Sequence, residues 1–284
     1  MKKLFVSFVI GALLMSCSNP NGKSWNEYGL KGRVKTCKHT GSQVNYVNGE
    51  YVRTGNVRDN IYEFNSDGLI VKFCMINSSE LLKKLSFSIH YKYDENGVLL
   101  ETENFSYDGT FSSKTLYKYN GVLLMETNSY DDFNYKFKQE TFSYDGNGLL
   151  LSQHLYRNSS LKEYSKYSYR NGSLFLKKVY DAKYNTLRYA SRYEDGKEVI
   201  RESTAGENMH ISYNENDLPS FIKNGKFYMD LFNMSSDDIV EVVGFSDAFY
   251  EYKYDSHGNW IEKVEFVGEG KIPMRLEQRV ITYY

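Results

Sequence analysis

Proline is nearly absent from this 284-residue chain, with three residues in all. Cysteine is as scarce, also at three. A basic surplus is missing as well: 35 lysines and arginines face 36 acidic residues, for a formal charge of -1. Phosphate backbones are bound by a cationic surplus, so nucleic acid is excluded as a partner. Metal and nucleophile motifs are missing too. The five histidines, His39, His90, His154, His210 and His257, lie far apart, and no His-Glu-x-x-His or Cys-x-x-Cys run occurs. Gly-x-Ser-x-Gly and phosphate-loop patterns are also absent. No cofactor or metal is therefore expected. Each histidine reads as a solvated strand or turn residue.

One apolar run exists, and it is short. Leu4 to Met15 follows Lys2 and Lys3. About a dozen residues are too few to span a bilayer but suit the apolar core of a signal peptide. The run ends in Leu14, Met15, Ser16 and Cys17, which resembles the bacterial lipobox, whose cysteine becomes the lipid-bearing N-terminus. The expectation is a lipoprotein signal at 1–16, lipidation on Cys17 and a polar tether over 17–24. The remaining thiols, Cys37 and Cys74, sit in predicted strands of an oxidising compartment. They are either two separate thiols or, if their strands are neighbours, a disulfide.

Tyrosine is abundant, at 27 residues, and aromatics make up 16% of the chain. A mean hydropathy of -0.58 alongside so much tyrosine indicates sheets with partly wet faces rather than a thick aliphatic core. The tyrosines recur in a phrase: aromatic, any residue, aromatic, Asp or Asn, two residues, Gly, then an apolar residue. One copy holds Tyr91, Tyr93, Asp94, Gly97 and Leu99; another holds Tyr252, Tyr254, Asp255, Gly258 and Trp260. The second aromatic position falls at Phe64, Tyr93, Tyr119, Tyr144, Tyr169, Tyr193, Tyr213 and Tyr254, mostly about 25 residues apart.

Residues i and i+2 of a strand share a face, so each copy stacks two aromatics on one side. The Asp or Asn opens a turn by bonding backbone N–H groups ahead of it, and the Gly takes a left-handed conformation. In that register Tyr93 opposes Leu99 and Tyr254 opposes Trp260. Asp217 stands where Gly would be and tolerates the same conformation. A looser turn lies between copies, as at Tyr107 to Gly109, so each period holds two strands and two turns. The fold class is all-β: an antiparallel hairpin meander of units of about 25 residues, elongated or curled. A single domain is expected over 25–284. Its N-terminal hairpins cover 30–60, with Asn48-Gly49 as a two-residue turn. The repeats cover 61–262 and a closing hairpin 260–284. Asn224-Gly225 reads as another hairpin, and 233–243 as a short helix or bulged strand.

These copies resemble YD repeats, the unit of the RHS family, over about residues 60–262. In detail the chain is similar to small repeat lipoproteins of Bacteroidota. The shared segments are Leu30 to Lys35, Asp255 to Lys263 and Ile281 to Tyr284. The resemblance implies a β-repeat fold outside the cytoplasm.

The expected function is a non-enzymatic cell-envelope lipoprotein, lipid-anchored at the outer membrane, that binds a glycan or an envelope protein. Tyr93, Tyr119, Tyr144, Tyr169, Tyr254 and Trp260 are the candidate aromatic binding face. The alternative is an envelope hydrolase acting on glycans. A deep pocket with converging carboxylates or histidines favours the hydrolase; a long open sheet without a pocket favours the scaffold.

Overall fold

A computed structural model describes residues 25–78, 86–203, 208–228, 243–268 and 270–284. Cys17, the 17–24 tether and most of the 233–243 segment lie outside these residues. A 3-10 turn, Trp25–Tyr28, leads into β1 (Val34–Val47), β2 (Glu50–Phe64), β3 (Ile70–Asn77) and β4 (Phe87–Tyr93). The chain continues through β5 (Leu99–Ser106), β6 (Phe111–Asn120), β7 (Leu123–Asp131), β8 (Lys136–Tyr144) and β9 (Leu150–Arg157). Then come β10 (Ser160–Arg170), β11 (Ser173–Asp181), β12 (Thr186–Glu194), β13 (Lys197–Ser203) and β14 (Asn208–Tyr213). The last four are β15 (Pro219–Tyr228), β16 (Val243–Tyr254), β17 (Trp260–Val267) and β18 (Ile272–Tyr283).

Each strand pairs antiparallel with the next, and β18 pairs with β1 from Val34–Tyr283 to Gln43–Arg275. The sheet is therefore neither open nor merely curled: it closes into an 18-stranded barrel. Closure removes the edge strands that an open meander would leave as templates for aggregation.

The turns follow the expected chemistry at one end of the barrel, here the Asp–Gly rim. Asp94 Oδ1 accepts the N–H groups of Asn96 and Val98 at 2.9 and 2.8 Å, and Gly97 has φ +79°. Asn65, Asp145, Asn214 and Asp255 repeat the pattern, with Asp217 at φ +63° in the glycine position. Where one residue separates the aromatic from Asn-Gly or Asp-Gly, the turn is two residues with both φ positive, as at Asn171-Gly172 and Asp195-Gly196. Tyr93 opposes Leu99 and Tyr254 opposes Trp260, each beside a register shift.

Asn224-Gly225 is not a hairpin. It lies within β15, where the pairing with β16 shifts register between Ile222 and Gly225. Glycine relaxes a strand bulge as readily as it makes a turn, so the dipeptide alone did not separate the two.

Directly opposed residues share a face, so the register assigns every strand. Thr102, Thr115 and Ser129 oppose one another in turn, as do Gln153, Ser165 and Val179. Thr102, Thr127, Ser129, Gln153, Ser165 and Ser191 on this face are buried, which makes it the concave, inner face. The inner wall is polar and internally bonded: Glu140 accepts from Thr127 and Gln153, and Tyr167 donates to Gln153 at 2.9 Å. Buried hydroxyls and amides need partners, and this network supplies them from the same wall.

The outer face carries ion pairs: Lys38–Asp59, Lys92 with Glu101 and Glu103, Arg192–Glu202 and Lys253–Glu262, all within 3.0 Å. A barrel embedded in lipid shows an apolar outer band instead. The distal half of the β1–β2 hairpin leans over this outer face. There Val44, Val264, Phe266 and Leu276 form a small core, and Arg53 bonds Gln278.

The leading segment seals the Asp–Gly rim. Trp25 donates its N–H to Gly68 O at 3.0 Å and lays its ring on Gly68. Tyr28 packs on Tyr62 and Phe64, over a core of Leu30, Val34, Cys37, Phe64 and Ile70. Asn259 is almost fully buried. Its Nδ2 donates to Lys31 O at 2.8 Å and its Oδ1 accepts from Lys31 N. The asparagine, at a position that is apolar in the other Asp/Asn-x-x-Gly/Asp turns, thus fastens the start of the domain to the β16–β17 turn.

Candidate functional site

The six aromatics expected as a binding face point inward. Hydroxyls of Tyr93, Tyr119, Tyr144 and Tyr169 donate to the carbonyls of Ile70, Leu99, Leu124 and Leu150 at 2.7–3.0 Å. Each acceptor opposes the second aromatic of an adjoining hairpin (Phe64, Tyr93, Tyr119 and Tyr144), so the tyrosines link hairpin to hairpin. Tyr213 and Tyr284 add bonds to Glu198 O and Phe64 O, the latter across the closure. Tyr254 accepts from Asn214 at 3.3 Å, and Trp260 is buried. An exposed stacking face does not form from these residues; their hydroxyls and rings hold the rim together.

Cys37 and Cys74 are free. Cys37 opposes Tyr62, whereas Cys74 opposes Ile61, the neighbour of Tyr62 in β2. The two thiols therefore project from opposite faces with a whole strand between them, which excludes the bridge. Burial raises the pKa of both thiols.

The inner wall of β15–β18 holds a pocket of about 380 Å³. One side is aliphatic, from Leu218, Pro219 and Ile222; another is aromatic, from Tyr250, Tyr252 and Trp260; the rest is charged. Glu265 opposes Arg275 and Lys263 opposes Glu277, so the signs alternate along and across the two strands. Glu277 takes Lys263 Nζ and His39 Nε2 at 3.0 Å and Arg275 Nε at 3.2 Å. Burial alone would raise the Glu277 pKa, but His39, Lys263 and Arg275 hold it far below the usual carboxylate range. Burial raises the pKa of Glu265, against the pull of Lys263 and Arg275. Behind the pocket, Arg279 stacks at 3.6 Å on Trp260, with its Nε and Nη1 buried and unpartnered. Among the described residues no cluster of side chains forms a metal site.

Sequence reasoning missed this group. His39 is an inner-wall residue rather than a solvated one, and Glu277 lies 238 positions away from it. Only the β1–β18 closure brings them together, and no local spacing signals it.

The opposite end of the barrel is different. The β5–β6, β7–β8 and β11–β12 turns and the start of β10 present Tyr107, Phe133, Tyr135, Tyr184 and Leu161 to solvent, Phe133 at 86% exposure. Tyr46 and Val47 at the β1–β2 tip and Ile272 beside the β17–β18 turn are exposed at the same end. This is the aromatic rim. An apolar residue in a turn otherwise made of Asp and Asn, as at Phe133, was the signal available for it.

No family model matches the chain, and no curated protein does. Among solved structures it is similar to a porin-like protein from Bacteroides uniformis, at 10% identity and TM-score 0.46, covering 89% of this chain and 99% of that one. It is also similar to part of TcdB2-TccC3, at 11% identity and TM-score 0.34; the match covers 86% of this chain and 16% of that one. Neither likeness is close enough to lend its activity to this chain.

Proposed function

We propose that this chain is a non-enzymatic lipoprotein of the cell envelope, anchored through Cys17, that binds a glycan by its aromatic rim. The observation that carries this reading is the exposed aromatics of the β5–β6, β7–β8 and β11–β12 tips, with Leu161 of the intervening β9–β10 hairpin between them. Rigid rings bind at low entropy cost, and a solvent-facing apolar row is otherwise a liability. Hairpins along the rim are two strand spacings apart, about 10 Å, which suits an extended polymer that offers one apolar sugar face per interval. The charged outer wall supports anchoring by lipid rather than by burial in the bilayer. Trp25 sits at the Asp–Gly rim, so a tether on the preceding residues leaves the aromatic rim facing away from its membrane. The likeness of the repeats to YD units supports a scaffold.

The hydrolase is the second reading, because Glu265, Glu277 and His39 converge at the inner-wall pocket. Against it, Glu277 is held by Lys263, Arg275 and His39 and is nearly inaccessible, which is poor placement for a nucleophile or base.

Glycan arrays and envelope pull-downs with the mature chain and with Phe133→Ser/Tyr135→Ser/Tyr184→Ser test the rim. Glycan capture lost in the triple variant is the expected result. Capture of an envelope protein instead, capture unchanged in the variant, or glycan turnover by the wild type overturns it. Cys17→Ser should move the protein out of the membrane fraction; continued membrane partitioning rules out the lipid as its anchor.

A further inference from the structure

We propose that the inner-wall pocket is a second site, separate from the aromatic rim, and that it takes an uncharged sugar residue. Its charged side consists of two cations and two carboxylates in a checkerboard: Glu265 beside Arg275, Lys263 beside Glu277. Donors and acceptors alternate over a few ångströms, and the formal charges of these four cancel. A carboxylate or phosphate ligand placed there meets Glu265, with the Glu277 charge just behind the wall; an ammonium ligand meets Lys263 and Arg275. A vicinal diol meets neither penalty, because each hydroxyl both donates and accepts.

The neighbouring strand supplies the other half of the recognition. Tyr250 opposes Glu265 and Tyr252 opposes Lys263 on the same inner face, so aromatic rings flank the polar checkerboard. A pyranose has this division, with an apolar C–H face and a rim of hydroxyls. The volume of about 380 Å³ is at the small end for ligand sites and fits a sugar unit better than a long chain.

The wall is also shaped to keep one cation available. Arg275 uses its Nε on Glu277 while its side chain stays half-exposed. It lies against Gly41, which opposes Glu277 from β1; a Cβ at Gly41 would come within 3.2 Å of Arg275 Nη2. The backbone at Gly41 needs no left-handed conformation, so its glycine is explained by the room it leaves for the guanidinium.

Calorimetric titration of the whole mature chain tests the site. The probes are methyl glycosides of glucose, galactose, mannose and N-acetylglucosamine, with methyl glucuronoside and methyl galacturonoside as charged counterparts. Saturable binding of at least one neutral glycoside is expected, with the matching uronoside at least tenfold weaker. Glu265→Gln and Gly41→Ala should each weaken binding several-fold in a chain whose circular dichroism and melting are checked to be native. The rim variant Phe133→Ser/Tyr135→Ser/Tyr184→Ser should bind the glycoside as wild type does. Binding of none of the probes overturns the proposal. So does a uronoside that binds as well as its neutral parent, or binding that is lost with the rim and kept in Glu265→Gln and Gly41→Ala.

Discussion

The two rims of this barrel are made by the same chain, from hairpins of similar length, and have opposite surfaces. At the Asp–Gly rim every turn is bonded internally, each ring of the tyrosine column is half-buried, and the leading segment packs across it. At the aromatic rim the turns are just as well formed: Asp131 Oδ1 accepts from Phe133 and Tyr135, and Gly109 has φ +82°. Yet their large side chains face water. Turn geometry is thus independent of what the turn displays. One rim spends its aromatics on cohesion and the other leaves them for contact.

A pair of glycines separates the two most sharply. Gly68 and Gly109 hold similar positive φ values, +86° and +82°. A Cβ on Gly68 would stand 2.9 Å from the Trp25 ring, whereas one on Gly109 meets nothing within 4 Å. Gly109→Ala should cost about 1–2 kcal/mol from backbone strain alone. Gly68→Ala adds overpacking and should cost about 2–4 kcal/mol in urea unfolding. In a Trp25→Ala background the excess should disappear. Equal losses at the two sites would mean that the leading segment does not seal the rim.

The tyrosine column gives the next largest effect. Tyr119→Phe and Tyr144→Phe each remove one hydroxyl-to-carbonyl bond and should cost about 1 kcal/mol. Tyr107→Phe, on the exposed rim, should stay within about 0.5 kcal/mol of wild type. Alkali tests the same column without mutation. Burial pushes the phenols of Tyr119 and Tyr193 from 10.0 up to about 12. Between these values the unfolded chain has lost the proton that the folded chain keeps, so stability is full below pH 10 and falls as pH rises toward about 12. Melting temperatures followed across that window should decline smoothly, with the phenolate absorbance of these residues appearing only as the barrel opens.

How much of this was legible in the sequence depended on distance along the chain. Asp94, Gly97 and the Tyr93–Leu99 pairing lie within seven residues, and Asn48-Gly49 within two; local rules sufficed for them. The pairing of Val34 with Tyr283 is set by closure and has no local trace, and the same holds for His39 with Glu277. Asn259 is visible as an asparagine where Leu69, Val98, Leu149 and Leu218 stand in the matching turns, but its partner Lys31 is 228 positions away. The aromatic stripe was read correctly as one face. Whether that face turned in or out required knowing which way the sheet closed.

The smallest effect on stability is the most telling about use. Tyr107, Phe133, Tyr135 and Tyr184 stand on turns whose backbone bonds come from Asp108, Asp131 and Asp181, so replacing the rings with serine leaves the turns intact. Each single change should shift stability by no more than about 0.5 kcal/mol, and removing apolar surface from water should raise solubility. A rim kept for cohesion would instead behave like the tyrosine column, losing about 1 kcal/mol per site. A stable, soluble triple variant that no longer retains the glycan captured by the wild type would establish that the two rims divide structure from recognition. A triple variant that melts well below the wild type would show that the exposed rings carry structural weight, and the contrast between the rims would fail.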